Sequence, residues 1–223
     1  MRQHILIAAF ATLSLSGVAV AHEAGQVILR GGVTHIAPKV DSSRISVDGV
    51  KQPGSSADIN SSTQVSMATT YMITSYFGVE AMVISPSVHK IRVKGLSSEV
   101  DGKLGEVTLF TPMINAQLYL LNPKSKFRPY AGLGVNHAMF YDERLTRYQR
   151  RQNGFRKLEL SDSVGLTGHV GADIALTKRL LLNASVRKLY MSTTAKAKWN
   201  GDKVKVKMDI DPWVYTVGVG YRF

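Results

Sequence analysis

His169 and Asp173 stand four positions apart in a segment of alternating hydrophobicity, with Ser163 on the same side. A hydroxyl, an imidazole and a carboxylate are the ingredients of nucleophilic catalysis. Along one strand, at about 3.3 Å per residue, His169 and Asp173 are roughly 13 Å apart. A triad contact within that strand is excluded, and only partners from neighbouring strands would make the chain a lipid-modifying enzyme. Metal chemistry has no multi-ligand spacing behind it: His22 at a freed amino terminus would chelate copper only adventitiously. No catalytic residue, metal ligand or cofactor is assigned.

Three other groups of residues suggest binding and passage rather than reaction. Arg30, Glu80, Gln117, Asp173, Arg187 and Arg222 share one face of their strands. In a narrow closed barrel they fill the lumen and must pair, because an isolated ion there is costly. They are expected to form a polar plug that blocks continuous water flow. Met82, Ile84, Pro86, Phe110 and Pro112 lie in strands that are apolar on both faces. They are expected to line the upper bore as a path for an apolar ligand. Proline removes ladder hydrogen bonds, so Pro86 and Pro112 mark a possible side opening. The third group is basic: Arg144, Arg147, Arg150 and Arg151 in one loop, Lys196 and Lys198 in another. These side chains are suited to the phosphates of lipopolysaccharide, although a solvated loop surface has the same composition.

The elements that must position these residues are strands. The chain ends in DPWVYTVGVGYRF, with Trp213, Tyr215, Val217, Val219, Tyr221 and Phe223 on one face. Val214, Thr216, Gly218, Gly220 and Arg222 occupy the other. A soluble barrel would turn its bulk inward; here the oily, aromatic-ended face reads as the outside of a membrane strand. Period-two reading gives eight such segments, beginning near 25, 62, 79, 107, 127, 160, 180 and 213. Their connections alternate long and short, as in outer-membrane barrels with short periplasmic turns and long external loops. The fold class is therefore all-β: an eight-stranded antiparallel transmembrane β-barrel. An eight-stranded soluble barrel of the lipocalin kind is the alternative that the inverted pattern disfavours.

Compartment and composition agree with that reading. Arg2 and His4, an apolar stretch over 5–15 and Ala19-Val20-Ala21 form a secretory signal peptide, residues 1–21. Residues 22–223 then make one barrel domain, destined for the cell outer membrane. There is no cysteine, and no later apolar run approaches the roughly 20 residues of a spanning helix. A membrane-embedded chain of this kind must cross as closed strands. The 28 Lys and Arg against 16 Asp and Glu give a net charge of +12. Nucleic acid is the usual partner of so basic a chain, but an exported protein with its basic residues in loops points to anionic lipid.

The sequence resembles the outer membrane protein W family. The resemblance is carried by His22-Glu23-Ala24-Gly25 with Arg30 and Gly32, and by Gly78-Val79-Glu80 with His89-Lys90-Ile91. Its most specific segment is Lys126-Phe127-Arg128-Pro129-Tyr130-Ala131-Gly132-Leu133-Gly134. Asp162-Ser163 with Gly165, Gly168-x-Val170-Gly171-x-Asp173, Asp211-Pro212-Trp213-Val214 and Gly220-Tyr221-Arg222-Phe223 follow in order. The resemblance implies an eight-stranded barrel with a narrow hydrophobic channel that passes small apolar or amphipathic molecules and releases them sideways into the bilayer. It implies neither enzyme activity nor a cofactor. Tyr221 and the terminal Phe223 resemble the signal read by the outer-membrane assembly machinery. Val164 stands where relatives often carry Trp, and Tyr190-Met191-Ser192 replaces an acidic strand end. A structural or adhesive barrel whose bore carries nothing is the competing function.

Overall fold

The structure, a computed structural model, describes residues 22–223. The expected signal peptide lies outside the described residues. In chain order the strands are β1 (Val27–Ala37), β2 (Asp41–Ser42), β3 (Ser46–Val47), β4 (Val50–Lys51), β5 (Ser56–Ile59), β6 (Ser62–Met72), β7 (Phe77–Ile84), β8 (Ser87–Lys94), β9 (Gly102–Phe110) and β10 (Met113–Tyr119). They continue with β11 (Phe127–Leu145), helix α1 (Arg147–Arg151), β12 (Phe155–Leu160), β13 (Ser163–Ala175), β14 (Leu180–Leu189), β15 (Ser192–Trp199), β16 (Asp202–Asp209) and β17 (Trp213–Arg222).

Eight of them close a barrel in the order β10-β7-β6-β1-β17-β14-β13-β11, with β10 paired back to β11. Every pairing is antiparallel, and β17 lies against β1 over Ile28–Ala37, so the last strand closes on the first. Alternation produces two unlike surfaces. Val33, Val65, Leu118, Leu133, Leu166, Val170, Val217 and Val219 stand exposed in an outer apolar belt. Tyr71, Tyr76, Phe127 and Phe223 border it at the short-turn end, Tyr190, Trp213 and Tyr215 at the other. Such an outward apolar band between aromatic girdles is the surface a bilayer covers.

The sequence reading of long external loops is replaced by secondary structure. Beyond the belt, β5, β8 and β9 extend the wall along β11, and β12, β15, β16, β3 and β4 form a second sheet. Two of its turns are Asp48-Gly49 (φ 45° and 86°) and Asn200-Gly201 (φ 50° and 105°). Positive φ at both central residues is what a two-residue hairpin of the right twist requires. α1 is a single turn whose first free N–H groups are met by Thr146, which accepts from the Gln149 N–H.

The third and fourth segments, read as continuous strands, are each broken at one level. β7 gives way to β8 across Ser85-Pro86, and β9 to β10 across Thr111-Pro112. Met82 faces Met113 below the break, while Ser87 faces Leu109 above it. One side therefore carries a residue more than the other, and its inward parity flips from even to odd numbers. β6 pairs with β7 only as far as Ile84.

Candidate functional site

The barrel interior has two stacked layers of opposite chemistry. At the short-turn end is a polar floor built from every barrel strand except β17. Arg30 of β1 grips Asp173 of β13 with one edge of its guanidinium, Nε to Oδ1 at 3.1 Å and Nη2 to Oδ2 at 2.6 Å. Its remaining donors reach Thr70 Oγ1 and the Tyr119 hydroxyl, both at 2.7 Å. Glu80 of β7 accepts from Arg187 at 2.5 Å, from Gln117 at 2.6 Å and from Asn115 at 3.1 Å. The two ion pairs touch where Arg30 Nη1 lies 3.9 Å from Glu80 Oε2. Asn183 donates to Asp173 and to the Tyr130 hydroxyl, each at 2.8 Å.

Of the six residues expected in the plug, five are joined by these bonds. Arg222 also lies buried in the lumen but makes no hydrogen bond with the others. Thr70, Asn115, Tyr119, Tyr130, Asn183 and His22 also belong to the floor, a place the sequence reading did not assign them. Strand parity was the available signal: Asn115 and Tyr119 share the inward phase of Gln117, and Asn183 that of Arg187. Two inward glycines make room for rings. A Cβ on Gly171 would stand 2.6 Å from the Tyr130 ring, and one on Gly132 would stand 2.4 Å from His169 Cε1.

His169 and Asp173 do not form a catalytic pair. Gln117 Nε2 lies 3.1 Å from His169 Nε2, while the Asp173 oxygens are taken by Arg30 and Asn183, with His22 Nε2 3.4 Å away. Ser163 is at the opposite end of β13.

Above the floor the lining changes abruptly. Thr34, Ser66 and Thr216 form a last hydroxyl layer, joined at 2.7 and 2.9 Å. From there an apolar core runs through Ile36, Met82, Ile84, Met113, Leu189 and Val214 into the outer sheets at Leu109, Phe140, Phe155 and Val206. It is packed: the cavities left around Ile36 and Phe140 and around Phe155 measure about 10 and 20 Å³. That is about room for one water molecule, so the apolar bore is shut in this structure.

The five residues expected along the bore separate. Met82 and Ile84 are buried in this core. Phe110 and Pro112 are half-buried and Pro86 is exposed, all three outside it. The correction follows from parity: Phe110 faces Met139 on the outer side of the wall, and the extra residue at the break turns Pro86 outward. A concavity of about 780 Å³ also lies outside the bore. It is a groove on the outer wall over Ala116, Ala131 and Gly168. Lys188 lies at its rim, 5.3 and 5.8 Å from the ring centres of Trp213 and Tyr190.

The basic residues, expected in loops, lie instead on the outer strands and on α1. Arg144, exposed, pairs with Asp142 at 2.8 Å. Arg147, Arg150 and Arg151 project from α1. Lys196 faces Lys205 and Lys198 faces Lys203 across the β15–β16 hairpin, so like charges stand directly opposite.

Known proteins with this fold and pattern identify the group. The OmpW family model matches residues 23–223. Outer membrane protein W of Vibrio cholerae is 35% identical over 224 residues, covering all of both chains. The crystal structure of the outer membrane protein OprG from Pseudomonas aeruginosa superposes with a TM-score of 0.88 at 39% identity, over 92% of this chain and 99% of that one. The dibenzothiophene metabolism operon protein PahQ of Pseudomonas aeruginosa is 25% identical over 194 residues, 87% of each chain. The short-turn end is thus periplasmic, the outer sheets are extracellular, and the chain belongs to the OmpW family of outer-membrane β-barrel proteins.

Proposed function

We propose that the protein is a passive outer-membrane channel for small hydrophobic or amphipathic molecules, releasing them laterally into the bilayer rather than into the periplasm. The observation that carries this reading is the order of the layers. A continuous apolar core extends from the extracellular sheets down to an ion-paired floor. A solute that partitions into the core gains from apolar contact but would have to desolvate and separate two buried ion pairs to continue downward. The wall is weakest just above that floor. Glu80 faces Asn115, Met82 faces Met113, and the proline break follows at once. The last backbone bond to β6 is from the Ser85 N–H to the Val65 carbonyl, and strand pairing resumes only at Ile59 and Ile91, so the gap between them is the side exit.

Because the core is packed shut, passage requires the outer sheets to part and Met82, Ile84 and their neighbours to repack around the solute. The driving force is the solute gradient plus transfer into lipid, and no chemical step is involved. A relative named for dibenzothiophene metabolism fits a substrate class of this kind. The like-charged lysine ladder of β15 and β16 would be relieved by lipopolysaccharide phosphates, which favours that lipid as the outer partner.

Flux of a hydrophobic tracer into liposomes tests the reading. Vesicles carrying the protein should take up tracer faster than empty ones; equal rates would defeat the channel. Pro86→Val combined with Pro112→Val restores the missing donors and should slow uptake without lowering the folded fraction.

A further inference from the structure

The ion pairs of the floor leave two cations over. Among the described residues the buried ionised side chains of the barrel are four arginines, Arg30, Arg128, Arg187 and Arg222, and two carboxylates, Glu80 and Asp173. Glu80 is bound by Arg187, and Asp173 by Arg30 and Asn183. Arg128, second residue of β11, and Arg222, last of β17, lie beyond them at the periplasmic mouth. They are 0% and 2% exposed.

Their donors are unused. Arg128 gives Nη2 to the Ser75 carbonyl at 2.8 Å, while its Nε and Nη1 have no partner among the described residues. Among the same residues, none of the three nitrogens of Arg222 has one. The faces of Arg128 are occupied, since its guanidinium carbon lies 5.0 Å from the centre of the Tyr119 ring and 6.0 Å from that of Tyr76. Ring contact holds a guanidinium in place as a cation but leaves its N–H edge free. The positive charges of Arg128 and Arg30 both act on Arg222, and Asp173 attracts it without bonding to it. A buried guanidinium with no bonded counter-charge is expensive, and two neighbouring ones are more so. Strands do not place such a pair at a barrel mouth by packing alone, because smaller polar residues fill that space at lower cost.

We infer that Arg128 and Arg222 form an oxyanion site at the periplasmic mouth, taking a phosphate or carboxylate group on the N–H edges of both guanidiniums. Planar guanidinium forks match these oxygens, and the site receives them from the periplasm, below the floor. His22 flanks it, with its ring 4.8 Å from that of Tyr119. The ligand source is either a free periplasmic anion or the headgroup of an inner-leaflet phospholipid, which present the same oxygens. The site is independent of the transport reading, since nothing in it requires the bore above to open.

Thermal unfolding of the folded protein in detergent is the test, with inorganic phosphate, acetate and a short-chain phosphatidylglycerol compared against chloride at equal ionic strength. Phosphate should raise the midpoint, and Arg222→Gln should weaken its apparent affinity about tenfold or more, the worth of one charge-assisted contact. Lys196→Gln with Lys198→Gln should leave that response intact. Stabilisation by phosphate and acetate assigns the site to free anions, and stabilisation by the phospholipid alone assigns it to headgroups. No response to any of the three, or an equal response in the Arg222 variant, overturns the site. Should Arg222→Gln not fold, wild-type crystals soaked in selenate decide the matter. An anomalous peak contacting both arginines is expected, and peaks confined to the outer lysines would refute it.

Discussion

Asp173 is the residue on which the floor depends. It is fully buried, accepts two bonds from Arg30 and one from Asn183, and lies beside His22. Removing one partner of a buried ion pair leaves the other charge unmet, which typically costs about 3–5 kcal/mol. Asp173→Ala should therefore lower unfolding stability by about that amount, measured by urea titration of the refolded barrel. Adding Arg30→Met should recover part of the loss, since the double variant no longer holds a stranded cation. A change in Asp173→Ala below about 1 kcal/mol would mean that water already serves the site. At this scale the sequence was informative about membership and silent about partners. Period two placed Arg30, Glu80, Gln117, Asp173 and Arg187 on one surface. That Arg30 should choose Asp173, far away in sequence, depends on which strands are neighbours and how far each is staggered. Neither is written in any single strand.

Elements were legible where one face is oily and the other is not. The terminal strand, now β17, is exposed at Trp213, Tyr215, Val217 and Val219 as its alternation implied. The third and fourth segments were harder, because a strand apolar on both faces carries no parity to read. The break at Ser85-Pro86 and Thr111-Pro112 hid there, and with it the outward turn of Phe110 and Pro86. The outer sheets were missed for a different reason. Asp48-Gly49 and Asn200-Gly201, each flanked by alternating residues, are hairpin signals, but their polar flanks resemble a loop.

His89 shows what those outer elements do beside the break. It lies in β8, above the membrane-spanning wall, buried, with its Nδ1 3.0 Å from the Asn60 carbonyl and its Nε2 2.7 Å from Ser87 Oγ. The Asn60 side chain accepts from the Lys90 N–H at 2.6 Å, so this short segment bridges the gap between the β6–β7 and β5–β8 pairings. Burial pushes the imidazole below its ordinary value of 6.5, against a smaller opposite effect of the Asn60 carbonyl. A depressed histidine favours the neutral ring in the folded state. Its contribution is thus fully present above about pH 6.5 and is lost as pH falls through the lower folded value. Hydrogen-exchange protection of the Lys90 amide, corrected for intrinsic rate, should decline in that acid range. The decline should be absent in His89→Gln; equal pH dependence in both proteins would remove His89 from the role.

At the scale of the whole molecule, the barrel stacks two kinds of lining, and in the proposed channel these separate two kinds of traffic. Ions need a continuous polar path, and they meet an apolar core from above and paired charges from below. Apolar solutes need no water path, and the same core solvates them. The arrangement accounts for a barrel that has neither an open lumen nor a fully polar one, and for a floor placed directly beneath the weakest level of its wall. Reconstituted in a planar bilayer, the protein should therefore carry no steady ionic current, while the same preparation speeds uptake of an uncharged hydrophobic tracer. That uptake should not change with membrane potential, because no charge moves through the field with the solute. Arg30→Ala with Asp173→Ala removes one ion pair as a unit and thins the floor. It should raise ionic leakage while leaving tracer uptake near the wild-type rate, since the side exit lies above the lesion. If tracer uptake and leakage rise together, the solute passes through the floor and the lateral route is wrong.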